Sequence, residues 1–281
     1  MKILKFSILC MLTVLSAGAN TLFAQKMNVE DILAKHLNSI GSVKNRDSVK
    51  TRIIVSDVEF LLQAQNPING KFVMASSTEG AIFGINLEAN NYRLDKFSYD
   101  GKKIRVGYIT PGLRSILGGF ILSYEDVLKE GLLGGTLSSS WALLKTEGKP
   151  KLTYGGTDKI NGKETYVIEY SPKGGADIDI KIFLDKENFR HVRTEYNKVI
   201  AARMSGGGID RSATQVETRY KVIEDFSNFK KFGVLTLPGS YKIEHSFGRG
   251  GLSTKAEWKF KVTDASFNQP LGDNAFDIDA N

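Results

Sequence analysis

Apolar residues first recur at helical spacing soon after residue 27. The stripe consists of Val29, Ile32, Leu33, Leu37 and Ile40. Residues three and four apart share one helix face. Asn28 before the stripe and Gly41 after it are residue types that begin and end helices. The pattern predicts one amphipathic helix that packs its stripe against a sheet.

From residue 50 the apolar period changes from helical to two, which is typical of half-buried strands. We assign the apolar positions of the first long strand to its buried face: Ile54, Val58, Phe60 and Leu62. We assign its polar positions to the opposite face: Arg52, Asp57, Glu59 and Gln63. Turn residues at 66–70 and 100–101 separate further short strands, so this half of the chain predicts a hairpin meander.

The segment 111–144 loses the strand alternation and contains six glycines. Two parts of it, 115–124 and 131–144, carry no charged residue. Uncharged stretches of about 10 to 14 residues are too short to span a bilayer and more often mark buried or interfacial segments. We therefore expect short helices here.

After residue 151 the period of two returns and persists to about residue 267, with glycine-containing turns between the strands. Both halves together predict about a dozen strands and few helices. So many antiparallel strands must close or curl, because a flat open sheet would leave an apolar face and long edges in water.

The N-terminus has the form of a secretory signal peptide: Lys2 and Lys5 precede an apolar stretch at 6–15. We assign 1–24 to this cleaved signal, with cleavage after Ala19 or Ala24, and 26–281 to a single mature domain. The mature protein is expected to be periplasmic, in the envelope of a Gram-negative bacterium.

The amino-acid composition argues against several classes of function. Cys10 is the only cysteine and lies in the predicted signal, so thiol chemistry and disulfides are not expected in the mature chain. Without Lys2 and Lys5 the net charge falls from +7 to +5, and basic residues mostly alternate with acidic ones. Nucleic-acid binders concentrate their basic residues in one stripe, so no nucleic-acid partner is expected.

No spacing typical of a catalytic or metal site is present. His36, His191 and His245 stand far apart in the sequence and lack H-E-x-x-H spacing. The serine run 138–140 has no accompanying hydrolase signature, and the glycine run 205–208 lacks the context of a phosphate loop. We predict no enzyme activity, no metal and no cofactor.

The order of turn and strand motifs along the chain resembles that of the outer-membrane lipoprotein-sorting, LolA/LolB-like, family of bacterial envelope proteins. The motifs are at 154–156, 160–168, 182–193, 233–238 and 268–276. The resemblance covers about 28–279 and implies a mainly β fold. In this fold a single curved antiparallel sheet forms an incomplete, half-open β-barrel, with an N-terminal helix and central lid or plug helices.

The same resemblance implies a carrier that holds lipids or lipoprotein acyl chains in an apolar cavity between sheet and helices, with 111–144 as the lid or plug. Its partners would be a lipid or an acylated lipoprotein, and could include envelope membrane proteins. Carrier members latch the lid with an arginine, for which the candidates are Arg52, Arg93, Arg105 and Arg114.

Two groups of apolar residues are the candidate ligand-binding site. The lid group is Leu113, Ile116, Leu117, Phe120, Leu122, Val127, Leu128, Leu132 and Leu133. The wall group is Phe60, Leu62, Phe72, Met74, Phe83 and Ile85. The same residue types would also fill an ordinary core without a cavity. The alternative function is a non-enzymatic interaction or stress-sensing module of the envelope, which would present an exposed apolar patch.

Overall fold

The structure is a computed structural model, and it describes residues 27–279 apart from 64, 93, 145–149, 176 and 202–216. Several predicted features lie outside the described residues: the signal peptide with its cleavage sites, Cys10, Arg93 and the glycine run 205–208.

The predicted N-terminal helix is confirmed as α1 (Val29–Ile40), and a short helix α2 (Val43–Asp47) follows it. The Asn28 side chain accepts a hydrogen bond from the backbone N–H of Asp31 at 2.7 Å, which satisfies one of the free donors of the first turn. The helix ends at Gly41, as expected. Its buried positions include Ile32 and Ile40, which fix the helix against the rest of the core.

Fourteen strands are described. In the first half they are β1 (Arg52–Leu62), β2 (Ile68–Ser76), β3 (Ala81–Leu87), β4 (Asp95–Tyr99) and β5 (Ile104–Val106). In the second half they are β6 (Lys151–Ile160), β7 (Lys163–Ser171), β8 (Asp179–Asp185), β9 (His191–Ile200), β10 (Thr218–Ser227), β11 (Lys230–Phe232), β12 (Leu235–Leu237), β13 (Ser240–Arg249) and β14 (Leu252–Phe267).

Twelve of these strands form one antiparallel sheet in the order β5-β4-β3-β2-β1-β14-β13-β10-β9-β8-β7-β6, while β11 and β12 form a separate hairpin. The first strand pairs with the last over the whole of β1, so both halves of the chain are joined in the middle of the sheet. β5 and β6 remain as the two edges, and the sheet does not close into a barrel. The predicted mainly β, half-open architecture is confirmed.

The alternation along β1 is confirmed, with one correction. Ile54, Val58 and Phe60 are buried and Leu62 is half-buried against the core, as predicted. The assignment of Arg52 to the polar face is wrong, because Arg52 is two positions from Ile54 and its side chain is 1% exposed. An arginine at a buried position needs partners from elsewhere in the fold, and these come from the central segment.

The segment 111–144, which we call the plug, contains short helices as predicted: α3 (Ile116–Ser123), α4 (Asp126–Lys129) and two 3₁₀ turns at Gly135–Leu137 and Ala142–Leu144. Ser115 caps α3 by accepting from the backbone N–H of Gly118 at 2.8 Å. Four of the six plug glycines have positive φ, between 48° and 78°, so most of them form tight turns. The plug, α1 and the inner face of the sheet share one hydrophobic core.

Candidate ligand-binding interior

The structure divides the predicted lid residues into a buried and an exposed group. Six are buried in the common core: Leu117, Phe120, Val127, Leu128, Leu132 and Leu133. Three are exposed: Leu113, Ile116 and Leu122. The plug therefore turns most of its apolar side chains toward the sheet and leaves one apolar surface outside.

The predicted wall residues form the inner face of the sheet, against which the plug lies. Phe60, Phe72, Met74, Phe83 and Ile85 are buried, and Leu62 is half-buried. A Cβ added at Gly134 of the plug would meet Phe83 Cε1 at 3.2 Å and Met74 Sδ at 3.3 Å. The plug backbone is thus in van der Waals contact with the wall at this point, where the interior is filled by the protein itself.

Two clefts are described in the structure. One, of about 1020 Å³, includes outward-facing charged residues of the middle strands, among them Asp57, Glu59, Lys242 and Lys259. The other, of about 530 Å³, lies at the hairpin that joins β7 and β8. Neither is lined by a predicted lid or wall residue. An apolar cavity between sheet and plug stays a prediction.

Arg52 connects the wall to the plug. Its Nη1 donates hydrogen bonds to the backbone carbonyls of Thr136 at 2.7 Å and Ser138 at 3.1 Å. Burial lowers the pKa of Arg52 to about 10, which leaves the guanidinium charged at neutral pH. The positive charge is held by carbonyl dipoles of a plug turn 84 residues away in the sequence.

Glu224 is a second buried charged group that binds the same turn. Its carboxylate accepts from the backbone N–H of Gly134 at 2.8 Å and from the hydroxyls of Tyr196 at 2.6 Å and Tyr241 at 2.5 Å. Burial raises the pKa of Glu224 to about 7, although these three hydrogen bonds favour its charged form.

Arg52 and Glu224 therefore hold the two ends of one short turn, residues 134–138, from the sheet. Glu224 was not among the predicted site residues. The available signal was its alternation with Val222 and Phe226 on β10, which places an acid in register with buried apolar positions. The same alternation places Arg52, two positions before Ile54, on the buried face of β1.

His36 and His191, which stand far apart in the sequence, come together in the fold. Their rings are 6.4 Å apart, and Trp141 of the plug stacks on His191 at 4.6 Å. Trp141 Nε1 donates to His36 Nε2 at 3.1 Å, so the proton of His36 is on Nδ1, which donates to the carbonyl of Phe189 at 2.9 Å. The spacing of residues along the sequence could not reveal this pair, because α1 and β9 come together only in the folded protein.

Burial keeps both histidines neutral. It lowers the pKa of His36 to about 4 and that of His191 well below its usual range. The cluster has the features of a packing site: two neutral rings, a stacked indole and the ring of Phe226, 4.4 Å from His191. Together these groups anchor the C-terminal end of the plug.

Within the described part of the chain, no three His, Cys, Asp or Glu side chains are grouped so that they could hold a metal ion. The described helices include none with the length and apolar character of a membrane span. The buried hydroxyls of Ser138 and Ser140 hydrogen-bond each other at 2.8 Å.

The outer surface of the plug is apolar. Leu113, Ile116 and Leu122 are 55%, 40% and 37% exposed, and Tyr108, just before the plug, is 52% exposed. The guanidinium of Arg114 lies over the Tyr108 ring at 4.1 Å. We call this set the outer apolar face. Residues 115–124 add no charge to it.

No protein-family profile and no curated protein matches the chain. Among solved structures, the chain is similar to a LolA superfamily protein from Nitrosomonas europaea. The TM-score is 0.51 and the sequence identity 14%, over 89% of this chain and 97% of that protein. At this identity the likeness concerns the fold, and at that level the resemblance expected from the sequence is confirmed.

Two further structures cover similar lengths at lower TM-scores. A DUF1329 family protein from Desulfovibrio piger has a TM-score of 0.42 and 9% identity, over 89% of this chain and 98% of that one. A putative outer membrane lipoprotein-sorting protein domain from Vibrio parahaemolyticus has a TM-score of 0.42 and 15% identity, over 87% and 97%.

Proposed function

We propose that this protein is a periplasmic carrier that shelters a lipid or a lipoprotein acyl chain between its curved sheet and its plug. One observation supports this most. Among the described residues, no backbone-to-backbone hydrogen bond joins the plug to a strand of the sheet. The plug is attached by apolar packing and by hydrogen bonds that involve side chains, so it can move away without breaking a ladder.

Arg52 is the best candidate for the lid-latching arginine that the family resemblance implies. It is buried on the wall and donates to two plug carbonyls. By contrast, Arg105 pairs with Asp100 at 2.5 Å, and Arg114 lies on the outer apolar face. Release of the Arg52 hydrogen bonds would let the plug swing outward, as lid segments do when they admit a ligand.

Burial of an acyl chain provides more free energy than the hydrogen bonds between plug and sheet. Each methylene group moved from water into an apolar interior gains about 0.8 kcal/mol, so a ten-carbon chain gains about 8 kcal/mol. The hydrogen bonds that attach the plug contribute about 1 kcal/mol each. A single acyl chain can therefore offset the loss of these hydrogen bonds, while its own apolar surface takes the place of the sheet in covering the apolar side chains of the plug.

Recovery of bound lipid is the direct test. The protein should be purified from the periplasm of a bacterial host without detergent, extracted with organic solvent and analysed by mass spectrometry. We expect a lipid with at least one acyl chain in stoichiometric amount. Failure to recover lipid, together with failure of the purified protein to bind a fluorescent acyl probe, would refute the carrier function.

A reversible crosslink tests whether the plug must move. The backbone N of Ser139 is 2.9 Å from Ser76 Oγ, which brings the two Cα atoms within about 7 Å, the limit for a disulfide. The double variant Ser76→Cys/Ser139→Cys should lose uptake of the acyl probe when oxidised and regain it when reduced. The single variants are matched controls and should bind in both conditions. Unchanged uptake by the oxidised double variant would exclude plug movement as the route of entry.

The outer apolar face favours a second candidate, the envelope interaction module. An exposed apolar patch rimmed by polar residues is typical of a protein contact. Photo-crosslinking from position 116 or 122 in cells should then capture one defined envelope protein. The carrier function alone predicts no stable protein adduct at these positions.

Export is part of the proposal, since 1–24 has the form of a signal peptide. N-terminal sequencing of the periplasmic protein should place its first residue after Ala19 or Ala24. Retention of the full N-terminus in the cytoplasmic fraction would contradict export.

A further inference from the structure

Arg52 carries a buried positive charge that has no negative partner in the described part of the chain. No carboxylate among the described residues lies within ion-pair distance of it, whereas Arg193, another arginine of the sheet, pairs with Asp225 at 2.7 Å and with Glu195 at 3.2 Å. The Nε of Arg52 is also buried without a described hydrogen-bond partner. Charges at such depth are normally paired, because an isolated buried ion is costly. The two neutral carbonyl groups that accept from Arg52 offset its buried charge only in part.

Two hydroxyls, one in the turn 134–138 and one directly after it, are also buried without a described partner. They are Thr136 Oγ1 and Ser139 Oγ. Arg52 binds the carbonyl of Thr136 and that of Ser138, the neighbour of Ser139. The backbone N–H of Ser139 donates to Ser76, whose Cα is paired in register with that of Arg52. The large majority of buried polar atoms have a partner. Here three buried polar atoms without a described partner lie in one neighbourhood, and one of them belongs to a cationic guanidinium. Together they indicate a site that prefers an oxyanion.

We propose that Arg52, Thr136 and Ser139 form a binding site for the acid group of an acyl ligand, and that the preferred cargo is a fatty acid bound as its carboxylate. The inference rests on the proposed carrier function and names its ligand class. A guanidinium pairs with a carboxylate through a planar, charge-assisted fork, and the two hydroxyls supply additional donors. The acyl chain would occupy the apolar interior now filled by the plug.

A monovalent acid fits better than a phosphate monoester. Glu224 binds Gly134, only two residues before Thr136, and places a second acidic group at the same turn. A phosphate monoester carries nearly two negative charges at neutral pH and would be repelled by it, whereas one carboxylate matches the single charge of Arg52. The carboxylate would replace the carbonyls of Thr136 and Ser138 as the partner of Arg52, and the hydroxyls of Thr136 and Ser139 would then connect the plug to the ligand.

Competition between matched ligands tests the inference. The assay compares how well decanoate, decan-1-ol and decyl phosphate displace N-phenyl-1-naphthylamine, an uncharged fluorescent probe, from the purified protein at pH 8. We expect decanoate to displace the probe at a concentration about tenfold lower than decan-1-ol does. Decyl phosphate should be weaker than decanoate, and acetate, which has the acid group without the chain, should not displace the probe.

Substitutions test whether the preference for decanoate comes from the proposed acid-group site. In Arg52→Met, a change to an apolar side chain that buried ionic sites often tolerate, the preference for decanoate over decan-1-ol should fall to about twofold or less. Ser139→Ala removes a hydroxyl that has no described partner and should lower the preference about threefold while the fold is retained. Arg114→Gln, at an exposed arginine, is the matched control and should leave the preference unchanged.

The outcomes separate this inference from the carrier function. If neither ten-carbon ligand displaces the probe from folded protein, the carrier function fails. If decanoate and decan-1-ol displace it equally, the carrier function stands and the acid-group site is refuted. A preference that survives in both Arg52→Met and Ser139→Ala, or a stronger effect of decyl phosphate, also overturns the site as proposed.

Discussion

The sheet and the plug are stabilised in different ways. Each of the twelve strands is held to its neighbours by antiparallel ladders, and cross-strand ion pairs such as Lys242 with Asp225 at 2.9 Å cover the outer face. The plug contributes buried leucines and Trp141 to the core, but its connections to the sheet are side-chain contacts. The plug can therefore open at a lower free energy than global unfolding, as weakly connected segments generally do.

The sheet and the plug also differ in where their charged residues lie. Along the sheet, acidic and basic residues face solvent and pair across strands, and each exposed pair contributes about 0 to 1 kcal/mol. In the plug, 131–144 has no charge of its own, and the sheet supplies both charged groups that bind it there. Substitutions at Arg52 or Glu224 should thus change the plug more than the sheet.

The two tryptophans provide the largest expected effect and the clearest comparison. Trp141 belongs to the plug and Trp258 to the sheet, and both are fully buried. Each change to alanine should lower the free energy of unfolding by about 3 to 5 kcal/mol, because both leave a cavity. Urea denaturation measures this loss.

The same pair distinguishes local opening from global destabilisation. Under native conditions, limited proteolysis within 111–144 should be accelerated by Trp141→Ala and much less by Trp258→Ala. Equal cleavage of the plug in both variants would show that plug and sheet open as one unit, and would remove the basis for the comparison.

Glu224 gives the plug attachment a defined pH dependence. Its pKa of about 7 in the folded protein exceeds the usual 4.5, so the folded state binds more protons between these values and loses stability as pH rises from about 4.5 to 7. The loss attributable to Glu224 is about 3 kcal/mol. Glu224→Gln cannot titrate and should gain about that much relative to the native protein over this range.

Urea denaturation at pH 5 and pH 8 measures the Glu224 effect. His36 has the opposite sign: its lowered pKa of about 4 makes stability rise with pH up to about 6.5. Because His36 is present in both proteins, its contribution cancels in the difference. A difference between native protein and Glu224→Gln that does not change with pH would contradict the raised pKa.

Two plug glycines with the same backbone angle test how closely the plug fits. Gly131 and Gly112 both have a φ of 78°. A Cβ at Gly131 would be 1.8 Å from the carbonyl oxygen of Ser140, whereas nothing lies within 4 Å of one at Gly112. Both changes to alanine cost about 1 to 2 kcal/mol for the left-handed conformation, and Gly131→Ala should cost about 2 kcal/mol more for the clash. Equal losses in thermal denaturation would mean that the turn relaxes freely.

The outer apolar face should have the smallest effect on stability. Ile116→Ser and Leu122→Ser remove side chains that are more than a third exposed, so each should lower the free energy of unfolding by about 1 kcal/mol or less. If this face binds a partner, the same variants should lose photo-crosslinking while decanoate binding is unchanged. A loss of several kcal/mol would instead identify these side chains as part of the core.

Much of the fold was predictable because its signals are local. Asn28, Gly41 and the stripe between them defined α1, the period of two defined the strands, and loss of that period defined the plug. The candidate site was predictable only in part. The burial of six lid residues agrees with a segment that covers the sheet, but the sequence did not distinguish them from Leu113, Ile116 and Leu122, which face outward.

The sequence alone determined the antiparallel sheet, its leading helix and a charge-free central segment, because hydrophobic periodicity and turn residues act over a few neighbouring positions. Only the tertiary structure decided that Arg52 lies inside, that Glu224 faces the same turn, and that His36 meets His191 across Trp141. A buried charge is tolerated only where distant groups satisfy it, and here those groups lie 84 and 90 residues away along the chain.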